Sequence, residues 1–301
     1  MRHGRYPFVL GFLVAPVVLY TIFVFYPITQ LVFVATTNWS GLSPDFDNVG
    51  LENFEKIWQD STFWQAVQHH LMLLIALPLI TIALALFFAF LLNMGGGTRG
   101  GVMQGVWGSK FYRVVFFLPQ VLAVVIVGVI FSRVYGPDQS GIINRLLSFV
   151  GIERVLFMSD YGMWAILGVL VWQAVGFYVV LFSAGMSSIP ADLYEAAVLD
   201  GASRITIFFR VTIPLLWETI RVAWVYLGIL AFDAFALVMV LSIEQGGPDG
   251  ATAVLPVLIY KQGIRESEYG YASALGVSLF LLTITFAILA LRAGRREAVE
   301  H

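Results

Sequence analysis

The sequence predicts an all-α polytopic membrane protein with six transmembrane helices and both termini on the cytoplasmic side. Three observations carry this. The 301 residues are 59% apolar, with a mean hydropathy of +0.85. Only 12% are charged, about half the share usual in soluble domains, and a soluble chain with so much apolar surface would aggregate. Six apolar stretches are each long enough to cross a bilayer, which takes ~20 mostly apolar residues. They are 8–36, 67–93, 112–134, 161–188, 214–241 and 271–292, a single transmembrane domain over residues 1–301 with a cytoplasmic loop at 189–213.

The first stretch follows Arg2, His3 and Arg5 and runs from Pro7 to Thr36. That exceeds the ~7–15 residue core of a cleaved signal peptide, so it reads as a retained signal anchor. Pro16, Pro27, Pro78 and Pro119 fall within spans, where neighbouring helices can re-satisfy the freed carbonyls. Orientation follows from the basic residues in loops. With the N-terminus inside, ten lie inside (Arg2, Arg5, Arg99, Lys110, Arg113, Arg204, Arg210, Arg292, Arg295, Arg296) and six outside (Lys56, Arg133, Arg145, Arg154, Lys261, Arg265).

The loops differ in character. The cytoplasmic loop 94–111 is glycine-rich and reads as a flexible linker. Its Gly108-Ser109-Lys110 has the wrong order for a phosphate-binding loop, which needs Gly-Lys-Ser/Thr between strand and helix. The outer loop 37–66 is aromatic and acidic; Trp39, Trp58 and Trp64 read as interfacial anchors or as a docking surface for an external partner.

Composition excludes much chemistry. Net charge is −2, so nothing points to nucleic acid. There is no cysteine, hence no disulfide, thiolate nucleophile or cysteine metal site. His3 and His301 are terminal. His69 and His70 are adjacent, so their rings leave different helix faces, a spacing that suits no metal site; they read as marking the outer end of the second span. No catalytic constellation emerges.

Polar residues within spans carry the remaining signal. Glu218 and Arg221 stand three apart, on one helix face, and predict an ion pair near the cytoplasmic interface. Asp233 lies deeper in the fifth span, and an intramembrane carboxylate is a functional-site hypothesis by default. It predicts a contact to a polar substrate, a structural hydrogen bond or a proton-coupling group. In the fourth span, Trp172 and Gln173 precede Phe177 and Tyr178. An amide in lipid needs a partner, and an indole beside an amide can bind a sugar by stacking and hydrogen bonding.

The most specific stretch is EAAVLDGASRITIFFRVTIP, Glu195–Pro214. Pro190 and Asp192 predict a helix start. Ala196 and Ala197 keep one face low, and Gly201 permits a sharp turn. A second helical segment, Arg204–Arg210, follows, and Pro214 then opens the fifth span. The product is a bent helical knob suited to passing a push from a cytoplasmic partner into the spans.

This stretch resembles the EAA loop of ABC-importer permeases: Glu-Ala-Ala, three residues, Gly, nine residues, then Ile-x-Leu-Pro. Glu195, Ala196, Ala197, Gly201 and Pro214 stand at those places, with Asp200 beside the glycine and Val211 and Ile213 as conservative replacements. FYRVVFFLPQ, GIINRLLSFVG, the Gly-Gly-Pro at 246–248, YGYASALGVSLF and the C-terminal LRAGRREAVEH are similar to the carbohydrate-uptake branch, F-type maltose permease half. NWSGLSPDF, PLITIALALFFAF and IPADLYEAAVLDGA resemble permeases for N-acetylglucosamine and chitobiose.

The resemblance implies a type I ABC-importer permease fold and no catalysis by this chain. It implies a second permease subunit, two ATP-binding subunits that hold the ATP and Mg, and an extracytoplasmic sugar-binding protein. The chain itself then carries no cofactor, and its place is the inner or plasma membrane of a prokaryote. The family's midmembrane sugar contacts fall on Gln120, Val124, Trp172, Gln173, Ala174, Leu227 and Asp233. Val124 and Leu227 depart from the polar pattern, which leaves Gln120, Trp172, Gln173 and Asp233 as pathway candidates. An ion-driven secondary transporter built around Asp233, or an ABC permease for a non-sugar solute, is the alternative.

Overall fold

A computed structural model describes residues 5–96, 98–99, 102–103, 105–138 and 140–293. Arg2, His3, Arg295, Arg296, His301 and part of the glycine-rich loop lie outside the described residues. In chain order the elements are α1 Arg5–Tyr20, α2 Tyr26–Ala35, α3 Glu52–Gln59, α4 Ser61–Met94, β1 Thr98–Arg99, β2 Val102–Met103, α5 Ser109–Val121, α6 Val124–Val134, α7 Ile142–Phe149, α8 Phe157–Asp160, α9 Gly162–Ser188, α10 Ala191–Leu199, α11 Arg204–Ile207, α12 Ile213–Leu215, α13 Trp217–Phe232, α14 Phe235–Leu241, α15 Leu255–Tyr260 and α16 Tyr269–Ala293. Wide π turns join α1 to α2 at Thr21–Phe25 and α11 to α12 at Phe208–Thr212. The glycine-rich loop carries a two-stranded antiparallel ladder, Thr98 opposite Met103 and Arg99 opposite Val102, where the sequence predicts only a flexible linker.

Among the described residues, four helical runs are long and apolar enough to cross a membrane unaided: Gly11–Ala35, Ser61–Met94, Gly162–Ser188 and Tyr269–Arg292. The third and fifth stretches are not the continuous helices the hydropathy predicts. The third bends by 97° between α5 and α6, and the fifth by 69° between the run Arg204–Leu215 and α13. The cause in the third stretch is Pro119, which has no N–H to give the preceding turn; α5 ends two residues later, and Ala123 is extended at φ −60°, ψ 135°. In the fifth, Pro214 does not open the span. It sits in the last turn of the run that begins at Arg204, and the bend comes after it, at Leu216. The preceding π turn widens the helix where the proline ring would meet the carbonyl four residues back.

The chain divides into two compact units, residues 1–64 with 255–282, and residues 65–254 with 283–301. In the first, a buried asparagine closes the loop after α2. Asn53 donates from its amide to Ala35 O (2.9 Å) and Thr37 O (2.8 Å), satisfying carbonyls that α2 and its exit leave without a helical donor. Trp39 is no free anchor. Its indole N–H donates to the Ser43 carbonyl and its ring packs 5.5 Å from that of Tyr269. Trp58 and Trp64 meet edge to face at 4.9 Å, and Tyr271 donates its hydroxyl to Asp60 (2.7 Å).

The second unit is built around α9. Two-thirds of that span is buried within the chain, against none of the first span. Its Ile166, Val169, Val179 and Phe182 are fully buried. At Gly176 the backbone of α5 comes so close that an added Cβ would fall onto the Phe116 carbonyl, the close approach that a small residue permits between membrane helices. The loop after α6 closes on Asn144, which donates to Gly136 O and Val155 O and accepts from Val155 N–H. The expected Glu218–Arg221 pair is present at 2.6 Å.

Candidate functional site

Where the third stretch breaks between α5 and α6, and the fifth breaks a second time between α13 and α14 at Asp233–Ala234, they open a cavity of about 220 Å³ against α9. Gln120 and Val124 line it from either side of the α5–α6 break, Leu170, Gln173 and Ala174 from α9, and Leu230 with Asp233–Leu237 from the end of α13 and the start of α14. Of the three polar wall residues, Gln120 and Asp233 are placed by breaks and Gln173 projects from the unbroken α9. Gln120 follows Pro119 in the last turn of α5. Asp233 terminates α13 in a non-helical conformation, φ −102°, ψ 42°, so its carboxylate leaves the helix line and is exposed to the cavity. Irregular backbone at membrane depth is tolerated where it is buried in protein or lines a cavity.

Gln173 answers a question the sequence posed. Its amide donates to the Leu122 carbonyl at 3.2 Å, one of those released by the α5–α6 break. An unpaired amide or carbonyl in an apolar interior costs roughly 2–7 kcal/mol, so this bond holds the kink as well as lining the cavity. Asp233 is the one ionisable group among the described lining residues; the other polar groups are neutral amides. That wall accepts hydrogen bonds from hydroxyls and N–H groups and repels anions. Trp172 is not among the lining side chains. Neighbouring residues on a helix point ~100° apart, and the Trp172 ring instead meets Phe131 edge to face at 5.0 Å. Leu227 is fully buried and lies outside the lining.

The second candidate region is the knob. Pro190 stands at the N-cap of α10 and Asp192 in its first turn. The helix ends at Leu199 with Asp200 as its C-cap, and Gly201 follows at φ +77°, with Ala202 N–H returning to Ala197 O and Gly201 N–H to Val198 O, each at 3.0 Å. This is the C-terminal lock that a left-handed glycine permits. Ser203 then caps the next helical run by accepting from Thr206 N–H. Glu195, Ala196, Asp200, Gly201 and Pro214 are exposed and Ala197 is half-buried. Leu199 is 88% exposed, an apolar side chain with no cover in this chain.

Polar side chains that the sequence reading passed over tie the knob to the spans. Arg204 donates to Met94 O at 3.1 Å, at the end of α4. Tyr194 and Thr212 share a hydroxyl contact at 3.4 Å, and burial raises the Tyr194 phenol above its ordinary value. Beneath them Arg113 donates to Asn93 Oδ1 (2.7 Å), while Asn93 Nδ2 donates to Ala89 O (2.6 Å) and Ser183 Oγ (3.0 Å). One amide thus joins α4, α5 and α9 at the foot of the knob. The legible signal was Asn93 itself, a lone amide ending an apolar run.

Helix α4 begins at Ser61, so it extends more than two turns beyond His69 and His70 on their N-terminal side. His70 is buried, and both rings bind backbone carbonyls of the same unit. Among the described residues no group of three acidic, histidine or cysteine side chains could hold a metal ion.

Comparison with known proteins places this architecture. The chain is similar to the diacetylchitobiose uptake system permease protein NgcF of Streptomyces coelicolor, 37% identical over 300 residues that cover 98% of this chain and 84% of the relative. It is 30% identical to the multiple sugar-binding transport system permease protein MsmF of Streptococcus mutans over 292 residues, 96% of this chain and 95% of that one. Its fold matches a chain in the crystal structure of a bacterial ABC transporter involved in the import of the acidic polysaccharide alginate, with a TM-score of 0.80 and 22% identity over 98% of this chain and 97% of the other. Residues 71–298 match the family of binding-protein-dependent transport system inner membrane components. Broken spans around a cavity, an exposed helical knob and that match together make the chain a multi-pass membrane protein belonging to this permease family.

Proposed function

We propose that this chain is a permease subunit of a binding-protein-dependent ABC importer for an amino sugar or its short oligomers, in the cell membrane of a prokaryote. The observation that carries the reading is the cavity at the two helix breaks, where Gln120, Gln173 and Asp233 converge. Sugar hydroxyls and acetamido N–H groups find acceptors there, and the apolar wall of Val124, Leu170 and Phe235 suits the C–H faces of a pyranose. The names of the relatives favour the same substrate class.

The chain supplies half of the pathway and a second permease the other half. An external sugar-binding protein delivers the solute. Two cytoplasmic ATP-binding subunits hold the nucleotide and its magnesium, and their closure moves the knob. Because Arg204 ties the knob to α4 and the run Arg204–Leu215 leads into α13, that motion reaches the wall bearing Asp233. Alternating access by rocking bundles about a midmembrane site is the general scheme of such transporters.

A mild-detergent purification of the tagged chain from its own host, followed by mass spectrometry, tests the assembly. We expect an ATPase and a second permease to accompany it; recovery of the chain alone, under conditions that preserve a known importer, refutes it. The site has its own test, in ATP-loaded proteoliposomes of the assembled complex. Asp233→Ala removes a charge-assisted hydrogen bond of ~1.5–3 kcal/mol, so KM for diacetylchitobiose uptake rises by about tenfold or more. A protonophore leaves the rates of both proteins unchanged. If it stops wild-type uptake instead, the ion-driven reading of Asp233 replaces this one.

A further inference from the structure

We propose that His69 and His70 form a clamp that suspends the cavity wall between two imidazoles, with His70 as the residue that positions Asp233. The two side chains leave α4 ~100° apart. His69 Nδ1 lies 2.7 Å from Ala253 O, and His70 Nδ1 lies 3.1 Å from Ala231 O. A carbonyl only accepts, so the ring nitrogen facing it carries the hydrogen. Both rings therefore bind through Nδ1–H.

The two carbonyls bracket one segment. Ala231 and Phe232 are the last residues of α13, directly before Asp233. The final four carbonyls of a helix have no donor within it. His70 supplies one to Ala231, and its ring stacks on Phe232 at 5.3 Å and 28°. His70 thus grips both residues before Asp233, by an edge and by a face, from a position 2% exposed. At the other end, Ala253 follows Thr252, which is fully buried. Thr252 donates its hydroxyl to Ser242 Oγ at 2.8 Å, and Ser242 caps α14. The stretch from Asp233 to Ser242, which carries Asp233, Ala234, Phe235, Ala236 and Leu237 of the cavity wall, is held at its start by His70 and tied at its end, through the Thr252–Ser242 bond, to the Ala253 that His69 holds. The direction in which the carboxylate leaves the break follows from that grip.

The ring geometry supplies the test. An asparagine amide nitrogen stands where Nδ1 stands, two bonds from Cβ, whereas a glutamine amide nitrogen is one bond further out. The chain has no cysteine, so Ala236→Cys places a single reporter thiol on the wall. In membranes holding the full complex, its labelling rate by a cationic methanethiosulfonate reagent is compared in the His70, His70→Asn, His70→Gln and His70→Leu backgrounds. We expect His70→Asn to stay within about twofold of the parent, and His70→Gln and His70→Leu to shift the rate by about fivefold or more, as loss of a buried hydrogen bond implies.

Equal rates in all four, or His70→Asn following His70→Leu, overturn the proposal. Should His70→Gln and His70→Leu fail to fold, the pair His69→Asn and His69→Gln, at the less buried end of the clamp, decides by the same criterion. The kinetic part rests on the pathway reading above: with Ala236 restored, KM for diacetylchitobiose rises in His70→Gln and is spared in His70→Asn. If the parent complex transports no such sugar, the pathway reading fails while the labelling pattern still decides the clamp.

Discussion

Gly201→Asp is expected to abolish solute uptake while the complex still assembles in the membrane. The structure separates two effects that the sequence alone merges. Gly201 has a left-handed backbone, φ +77°, which most side chains resist but which aspartate and asparagine enter more readily than others. A Cβ built there meets nothing within 4 Å in this chain, so the α10 lock survives. The new carboxylate instead stands on the exposed face of the knob, which the proposed ATP-binding subunits would cover. Burying an unpaired charge costs several kcal/mol, and ~1.4 kcal/mol already gives a tenfold change, so uptake should fall by far more than that. Gly201→Asn, of the same shape without the charge, should keep most of the activity. Initial uptake rates, normalised to purified complex, decide it: equal loss in both variants assigns the effect to the backbone, and normal uptake by Gly201→Asp removes the coupling role.

Gly176→Val is expected to be the most damaging single substitution in the spans. Its Cβ would occupy the position of the Phe116 carbonyl, and backbone yields less readily than a side chain. Overpacking a well-filled interior costs typically 1–3 kcal/mol and occasionally more. Here α5 would also have to withdraw from α9, dragging Gln120 and the Leu122–Gln173 hydrogen bond with it. The measurement is the yield of monodisperse complex by fluorescence-detected size exclusion, with Gly176→Ala as the milder step. Wild-type yield and melting temperature for both variants would show that the two helices do not meet there.

The same two glycines show what could be read from the sequence and what could not. Gly201 was legible because its neighbours form a spaced motif, and the helix start at Pro190, the turn and the second helical segment all follow from local chemistry. Gly176 was not, because a glycine in an apolar helix signals a close neighbour without saying which. Hydropathy located the six apolar stretches, yet it does not register backbone direction. The breaks at Leu122–Ala123 and at Asp233–Ala234 therefore passed as continuous helix, although Pro119 and Asp233 each stood beside one. Gln120, Gln173 and Asp233 emerged together in the cavity, whereas Trp172, adjacent in sequence, turned to Phe131. The histidine pair was the hardest case. Its partners lie 161 and 184 residues away and are backbone carbonyls, which carry no mark in a sequence.

The joint at the foot of the knob has a further consequence. Arg113, Asn93 and Ser183 meet there through a guanidinium, an amide and a hydroxyl. A guanidinium keeps its charge across all physiological conditions, and neither partner has a proton to lose in that range. No carboxylate in the joint can be neutralised by acid, and an amide–guanidinium bond lacks the two opposed charges that salt screens. A linkage made of these groups should behave as a mechanical part of constant stiffness. On the proposed reading, a stroke delivered to the knob would then reach the membrane helices alike in acid, in high salt or in neither, and environmental control of import would have to act elsewhere in the assembly.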